Sequence, residues 1–384
     1  MRTKAIIHIK RFVNNLQALR ALVGNDRKIC VPVKADAYGH GAVQIAKAAV
    51  EAGAFCFGVA SVEEGCELRN EGIKAPVLLM SQPHFDEIPA MVAANLTPFV
   101  SDAGFIDALN EYASNGQDKL RLSVHLKIDT GMGRFGCAVE DALELARRIS
   151  QSASLELAGT LTHFATADSS ARADMEYTYL QTARFKEAVG VIRSAGINPG
   201  IVHAANSGAA LLHPDTWFDM VRPGIFLYGY NPMGLHPAEN ALQGLKAEPV
   251  MELKSPVILI KKIKRGESVS YGRTWIASQD TNIAILPLGY ADGLPRLASN
   301  KWQVIIGGSV YSLIGNICMD HCCVDLGLQS PVRRWDEATV FGSDTADSQA
   351  FDAAELARRI GMIPYEITCN INKRVPRVYI DSKK

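Results

Sequence analysis

Apolar and polar positions along the chain fall into two regimes. Phe12, Leu16, Leu19 and Val23 recur at helical spacing and predict an amphipathic opening helix. Short apolar runs then alternate with helical patterns. Residues 29–35, 55–60, 76–80, 96–100, 122–128, 157–164, 201–205 and 220–225 read as strands, and 43–52, 62–70, 88–94, 105–112, 142–149 and 180–194 as helices. Eight such units in about 225 residues fit an α/β fold of the closed (β/α)8 kind. An open, doubly wound sheet competes, but its first strand-to-helix turn would need a glycine fingerprint that Lys34-Ala-Asp-Ala-Tyr38-Gly-His-Gly lacks.

Past Tyr230 the pattern changes to short strands at 257–260, 283–286, 304–306, 324–326 and 339–341, separated by turns bearing Gly and Pro. One helix, near 351–360, is closed by Gly361. The chain therefore divides into an N-terminal TIM-type barrel, residues 1–235, and a mainly β C-terminal domain, 236–384. Its first residues are candidates for pairing with the second domain.

Composition narrows the function. The 384 residues carry 40 Lys plus Arg against 40 Asp plus Glu, with both signs interspersed. That gives no electrostatic footprint for nucleic acid or an anionic bilayer. No run approaches the ~18 apolar residues of a membrane span, and His8 and Lys10 break the only apolar stretch near the start, so no signal peptide is expected. The 8 cysteines are scattered among apolar runs, as in a reducing compartment, and a cytoplasmic location is expected. The expected partners are a small-molecule substrate and another subunit.

In a barrel the chemistry belongs at the carboxyl ends of the strands. There the sequence places Lys34, Lys127 with Asp129 and Arg134, His163, Asn206 with Ser207, and Arg222 with Gly224 and Ile225. A lysine ending an apolar strand is costly to bury as a cation, which frees its amine to act as a nucleophile or base. The hydroxyls and amides of Asn206, Ser207, Gly224 and Ile225 lie where barrels bind phosphate. An amine that condenses with aldehydes beside a phosphate pocket points to pyridoxal 5′-phosphate.

These segments resemble the alanine racemase family. The resemblance runs from the Lys34 segment through Lys127-Ile-Asp-Thr-Gly-Met-Gly-Arg134, His163-Phe-Ala-Thr-Ala-Asp168, Arg222-Pro-Gly-Ile, Ser270-Tyr271-Gly-Arg273-Thr-Trp275, Gly289-Tyr290-Ala-Asp-Gly, Cys318-Met319-Asp320, Pro364-Tyr365-Glu366 and Arg374-Val-Pro-Arg377. It implies that Lys34 holds the cofactor and is one base, and that Tyr271 of a partner subunit is the other, in a homodimer with shared sites. It also implies that Tyr38, Asn206, Ser207, Gly224, Ile225 and Tyr365 serve the phosphate, that His163 flanks the ring, and that Arg222 bonds its nitrogen. Arg134, Met319, Tyr290 and Asp320 would meet the substrate, and Lys127 matches a position carbamylated in many members. Arg273 is either a helper of Tyr271 or a surface charge.

Asn316 and His321 stand where the family commonly carries Arg and Gln, which leaves serine or broader specificity open beside alanine. A same-fold decarboxylase is disfavoured by Arg222 and by the absence of a Gly-Gly-Gly run, and a bare cofactor carrier would not need Tyr271. If 318–323 is a strand, Cys318, Asp320 and Cys322 face one way and His321 and Cys323 the other, so no metal site is expected and the cysteines read as strand packing.

Overall fold

The computed structural model describes residues 3–115, 121–232, 245, 247–342 and 351–380. The expected domain boundary at 235–236 lies outside the described residues. The chain opens with β1 (Lys4–His8), which runs directly into α1 (Ile9–Val23). α1 buries Ile9, Phe12, Leu16, Leu19 and Val23, the stripe its spacing dictates.

Eight parallel strands close a barrel: β2 (Lys28–Pro32), β3 (Cys56–Val59), β4 (Val77–Leu79), β5 (Leu96–Val100), β6 (Leu122–Lys127), β7 (Leu155–Leu161), β8 (Ile201–His203) and β9 (Met220–Val221), with β9 pairing back onto β2. A short turn, α2 (Lys34–Tyr38), follows β2. The helices α3 (Ala42–Glu51), α4 (Val62–Asn70), α5 (Ile88–Ala93), α6 (Ala103–Asn115), α7 (Ala142–Gln151), α8 (Arg172–Ser194) and α9 (Ser207–Leu212) complete the β–α alternation.

Of the boundaries that differ from the sequence reading, three bear on the barrel mouth. β2 stops at Pro32 because Lys34 opens a tight turn. Val33 is buried all the same, Ala35 is exposed on the turn, and Tyr38 at the end of the turn stacks on Tyr228. β9 is only two residues long before the chain coils at Ile225–Tyr228. α8 begins eight residues earlier than expected, because its first half is polar and covers loops rather than core, so it carries no apolar stripe.

Inside the barrel Cys30, Cys56, Leu78, Phe99, Leu161 and Met220 form a compact apolar cluster. Phe99 stacks on His125 at 5.9 Å and packs against His203 at 6.0 Å. A Cβ at Gly159 would lie 2.5 Å from His125 Nδ1, so glycine at that point of β7 admits the imidazole to the interior.

The second unit is built on β10 (Met251–Pro256), β11 (Leu259–Ile263), β12 (Ser268–Val269), β13 (Trp275–Ile276), β14 (Thr281–Leu286), β15 (Gln303–Ile306), β16 (Ser309–Ile314), β17 (Cys322–Asp325), β18 (Glu337–Phe341) and β19 (Arg377–Ile380), with α10 (Ala353–Ile360) and α11 (Pro364–Cys369). Nine strands form one sheet in the order β11-β14-β17-β16-β15-β18-β10-β1-β19. β1 is thus part of it, antiparallel to β10 and parallel to β19. The chain crosses from this sheet to the barrel at its first helix, which locks the two units together. β12 and β13 make a separate ribbon whose connection carries Tyr271. The strand assumed through 318–323 begins only at Cys322, so the alternation argument for Cys318 to His321 fails. Those residues form a loop whose shape is set by backbone bonds from the amides of Tyr290 and Ala291, which a periodicity argument cannot register.

Candidate active site

Lys34 stands at the mouth, on an unusual backbone. Ala35, Asp36, Ala37 and Tyr38 all have φ between 52° and 55°, a left-handed turn of four non-glycine residues. Each such residue costs about 1–2 kcal/mol, so the turn needs outside support. Glu64 supplies some of it, accepting the Ala35 amide at 2.7 Å on one oxygen and the Ala60 amide at 2.7 Å on the other. His40, fully buried, donates from Nδ1 to the carbonyls of Ala37 (3.0 Å) and Tyr38 (2.9 Å). From the C-terminal strand, Arg377 Nε donates to the Gly39 carbonyl at 3.0 Å. Burial, with the Arg134 cation next and Arg222 last, holds the Lys34 amine below the usual lysine range against the opposing pull of Glu64 and Cys369. A proton-free amine is therefore more accessible here than on the surface.

Arg222 lies behind it, buried. One Nη donates to His203 Nδ1 at 2.7 Å, and the other donates to the carbonyls of Thr162 (2.8 Å) and Ala204 (2.9 Å). Because guanidinium only donates, His203 Nδ1 must accept, so its Nε2 carries the proton and donates to His125 Nδ1 at 2.8 Å. Burial, then the Arg222 charge, pushes His125 down to about 3 and His203 well below the ordinary histidine range, so both stay neutral. Burial lowers Arg222 only to about 10, and it remains a cation. His163 is held well below its usual value by burial and then by Arg222, and its Nδ1 is 3.4 Å from that guanidinium.

Beside Arg222 is a cradle of donors. Ser207 Oγ accepts the Gly224 amide at 2.8 Å and the Phe226 amide at 3.4 Å, which leaves its own proton to donate outward. A Cβ at Gly224 would lie 2.6 Å from the Tyr38 hydroxyl, so backbone and phenol meet only because residue 224 has no side chain. Asn206 caps α9, accepting the Ala209 amide at 3.0 Å, and Ile225 opens the next helical turn. Tyr38 stacks on Tyr228 at 4.7 Å and meets Tyr365 at 5.9 Å. Burial raises both Tyr38 and Tyr365, keeping them as neutral O–H donors.

Lys127 and Arg134 bracket a loop folded around Asp129, whose Oδ1 accepts the amides of Gly131 (2.9 Å) and Gly133 (3.1 Å) and whose Oδ2 accepts that of Arg134 (3.0 Å). α8 fastens the same loop through Tyr177 to the Gly131 carbonyl (2.7 Å) and Arg184 to that of Thr130 (3.1 Å). Lys127 is 6% exposed. Its ammonium is 4.5 Å from the Phe135 ring, and burial, then Arg222 and Arg134, bring it down to about 8.

The other expected residues gather on the C-terminal unit. Tyr271 is 76% exposed, Met319 53% and Tyr290 45%. They are neighbours: the Tyr290 amide donates to the Cys318 carbonyl, the Ala291 amide to that of Met319, and the Asn316 side chain to the Tyr271 carbonyl. Asp320 is engaged by Arg374 at 2.7 Å, and Arg273 donates to Ser268 at 3.1 Å. Within one chain the site residues thus form two groups, one at the barrel mouth and one on this exposed apolar patch.

The profile described as "Alanine racemase, N-terminal domain" matches residues 7–232, and that described as "Alanine racemase, C-terminal domain" matches 250–379. The chain belongs to the alanine racemase family. An alanine racemase of Treponema denticola is 48% identical over 380 residues, covering 99% of this chain and 98% of the relative. The solved alanine racemase of Clostridium difficile 630 superimposes with a TM-score of 0.90 at 34% identity, covering 99% of this chain and 96% of that one. The solved alanine racemase of Bartonella henselae, with covalently bound pyridoxal phosphate, gives 0.85 at 28% identity over 99% of this chain and all (100%) of that one.

Several contributors in this member of the family were not read from the sequence. Glu64 was detectable in principle, since Ser61-Val-Glu-Glu64 has capping-box spacing before α4, but its second contact, to Ala35, is long-range. His203 ends an apolar strand without a motif. Among the described residues no three His, Cys, Asp or Glu side chains converge to hold a metal ion, and no helix is long and apolar enough to cross a membrane.

Proposed function

We propose that the protein racemises alanine with pyridoxal 5′-phosphate held on Lys34, using two bases contributed by two subunits of a homodimer. The observation that carries this reading is the pairing of a largely buried lysine, its pKa lowered by that burial, with the Gly224–Tyr38–Ser207 cradle at the same barrel mouth. The residues fit the group. Ser207 has a free hydroxyl proton, Tyr38 and Tyr365 stay neutral donors, and Gly224 carries no side chain to displace the Tyr38 hydroxyl. When bound, the cofactor acidifies the α-hydrogen of an amino acid condensed with it.

The chain's own residues determine what happens to that proton. Lys34 Nζ, held low in pKa, takes or returns it on one face of the substrate. The Tyr271 phenol of the partner subunit does so on the other, so removal and return on opposite faces invert the centre. Arg222 keeps its proton and offers the ring nitrogen a hydrogen bond rather than a transferable proton, which confines charge near the α-carbon and favours prompt reprotonation. Arg134 meets the substrate carboxylate, with Met319 and Tyr290 closing the space around a small side chain. Lys127, a buried amine near 8, is suited to carbamylation by carbon dioxide, and the added carboxylate would pair with Arg134.

A dimer is supported by the exposed cluster of Tyr271, Met319 and Tyr290, since an apolar patch of this kind is ordinarily covered. The free cysteines accord with a cytoplasmic setting. Chiral chromatography of products from a panel of L-amino acids tests the assignment: D-alanine should dominate. A larger D-serine signal would move the substrate, and no D-product from cofactor-loaded protein would end the racemase reading.

A further inference from the structure

Tyr271 rides on a backbone that its sequence does not favour. Ser270 has φ 66° and ψ −178°, a region open almost only to glycine, and Gly272 (φ 71°) and Arg273 (φ 49°) follow with left-handed φ. Strained positions such as Ser270 and Arg273 persist only where neighbours over-determine them, and such segments cluster at functional sites. The neighbour here is Asn316. Its backbone carbonyl accepts the Ser270 hydroxyl at 2.5 Å, and its side-chain amide donates to the Tyr271 carbonyl at 2.8 Å. The Ser270 hydroxyl is also 3.3 Å from Cys318 Sγ.

Asn316 is itself braced. The amide of Gly315 donates to Asn300 Oδ1 at 2.6 Å and that of Ile317 to Ser299 Oγ at 2.9 Å. A side chain at 315 would strike the Val269 carbonyl at 2.7 Å, so the two segments lie in direct backbone contact. The phenol projects into solvent, so the backbone of this turn is what aims it.

We infer that Ser270 and Asn316 are positioning residues for Tyr271, holding its turn in a strained shape so that the phenol reaches the partner's barrel mouth in a fixed pose. This rests on the reading of Tyr271 as the second base. It also gives Asn316 a task in the proton transfer that its place beside the substrate patch did not reveal.

The test uses cofactor-loaded enzyme and both enantiomers of alanine, with and without α-deuterium. Asn316→Ala and Ser270→Ala should each lower kcat by about 10- to 100-fold, the scale of a misplacement of about 1 Å. Lys34 should still be labelled by borohydride, and cofactor content should be unchanged. The α-deuterium isotope effect should grow for the enantiomer whose proton Tyr271 removes and not for the other, an asymmetry that a general loss of packing would not produce. Ser270→Gly should unfold at a higher temperature than Ser270→Ala, since glycine relieves the backbone strain, yet remain slow because the hydroxyl is gone. Alanine variants within about twofold of the parent in kcat, beside an inactive Tyr271→Phe, would overturn the inference alone. So would a loss of activity accompanied by loss of cofactor and equal isotope effects. Full activity in Tyr271→Phe would instead overturn the reading on which it rests.

Discussion

Replacing Lys127 by methionine separates the cost of a buried charge from its use. Lys127 is 6% exposed and its amine falls to about 8 from 10.5, through burial first and then the Arg222 and Arg134 cations. A depression of about 2.5 pH units corresponds to about 3 kcal/mol at roughly 1.36 kcal/mol per unit. The nearby Phe135 face recovers only about 0.5–2 kcal/mol. The sign follows from proton binding. Between pH 8 and 10.5 the folded chain holds fewer protons at this site than the unfolded chain, so stability rises with pH across that window and the penalty is complete below it. Methionine fills similar space without titrating. In buffer free of carbon dioxide, Lys127→Met should therefore be more stable than the parent by about 3 kcal/mol near neutral pH, and the gap should close toward pH 10.5. Urea unfolding of cofactor-loaded protein across that range measures it. A pH-independent gap, or a parent more stable than the variant at neutral pH, would refute the burial argument. At pH 7.5 about a quarter of Lys127 is unprotonated, against about one part in a thousand for an ordinary lysine. Bicarbonate should accordingly stabilise the parent and not the variant, and the variant should show a raised KM for alanine because Arg134 loses its anchor.

Gly159→Ala puts a Cβ within 2.5 Å of His125 and should break the His125–His203 hydrogen bond. The expected loss is about 1–3 kcal/mol, and an unchanged melting temperature would show that the imidazole can move aside. Arg377→Ala strips donors from the carbonyls of Gly39, Ile371, Asn372 and Val375, so cofactor affinity should fall by about tenfold or more and return on adding guanidinium. Equilibrium cofactor titration decides it. Ser207→Ala removes the acceptor of the Gly224 and Phe226 amides and one outward donor; cofactor retention should drop about tenfold while the fold holds.

The barrel was legible because its strands are short apolar runs between amphipathic helices, and the residues at their carboxyl ends, Lys34, Arg134, His163, Ser207 and Arg222, carry recognisable chemistry. What escaped was set by contacts distant in sequence. The left-handed turn after Lys34 contains no glycine between Ala35 and Tyr38, so nothing local announces it; Glu64 and Arg377 impose it from elsewhere. The polar first half of α8 reads as loop because it packs on the 129–136 loop instead of the core. Met319, expected at the substrate, is exposed on a loop, where strand alternation has nothing to say about its direction. Tyr271 could be named from its motif, but the brace provided by Asn316 depends on two turns meeting, which only the folded chain displays.

In the proposed homodimer one catalytic centre draws Lys34 from one subunit and Tyr271 from another. Lys34→Ala and Tyr271→Phe proteins should each be inactive as homodimers. Unfolded together and refolded with cofactor, half of the dimers should be mixed, and one of the two sites in each would regain both residues, giving about a quarter of the parent racemase activity. That recovery is the predicted result. No recovery from a mixture shown to contain mixed dimers would place both groups in one chain and contradict the account.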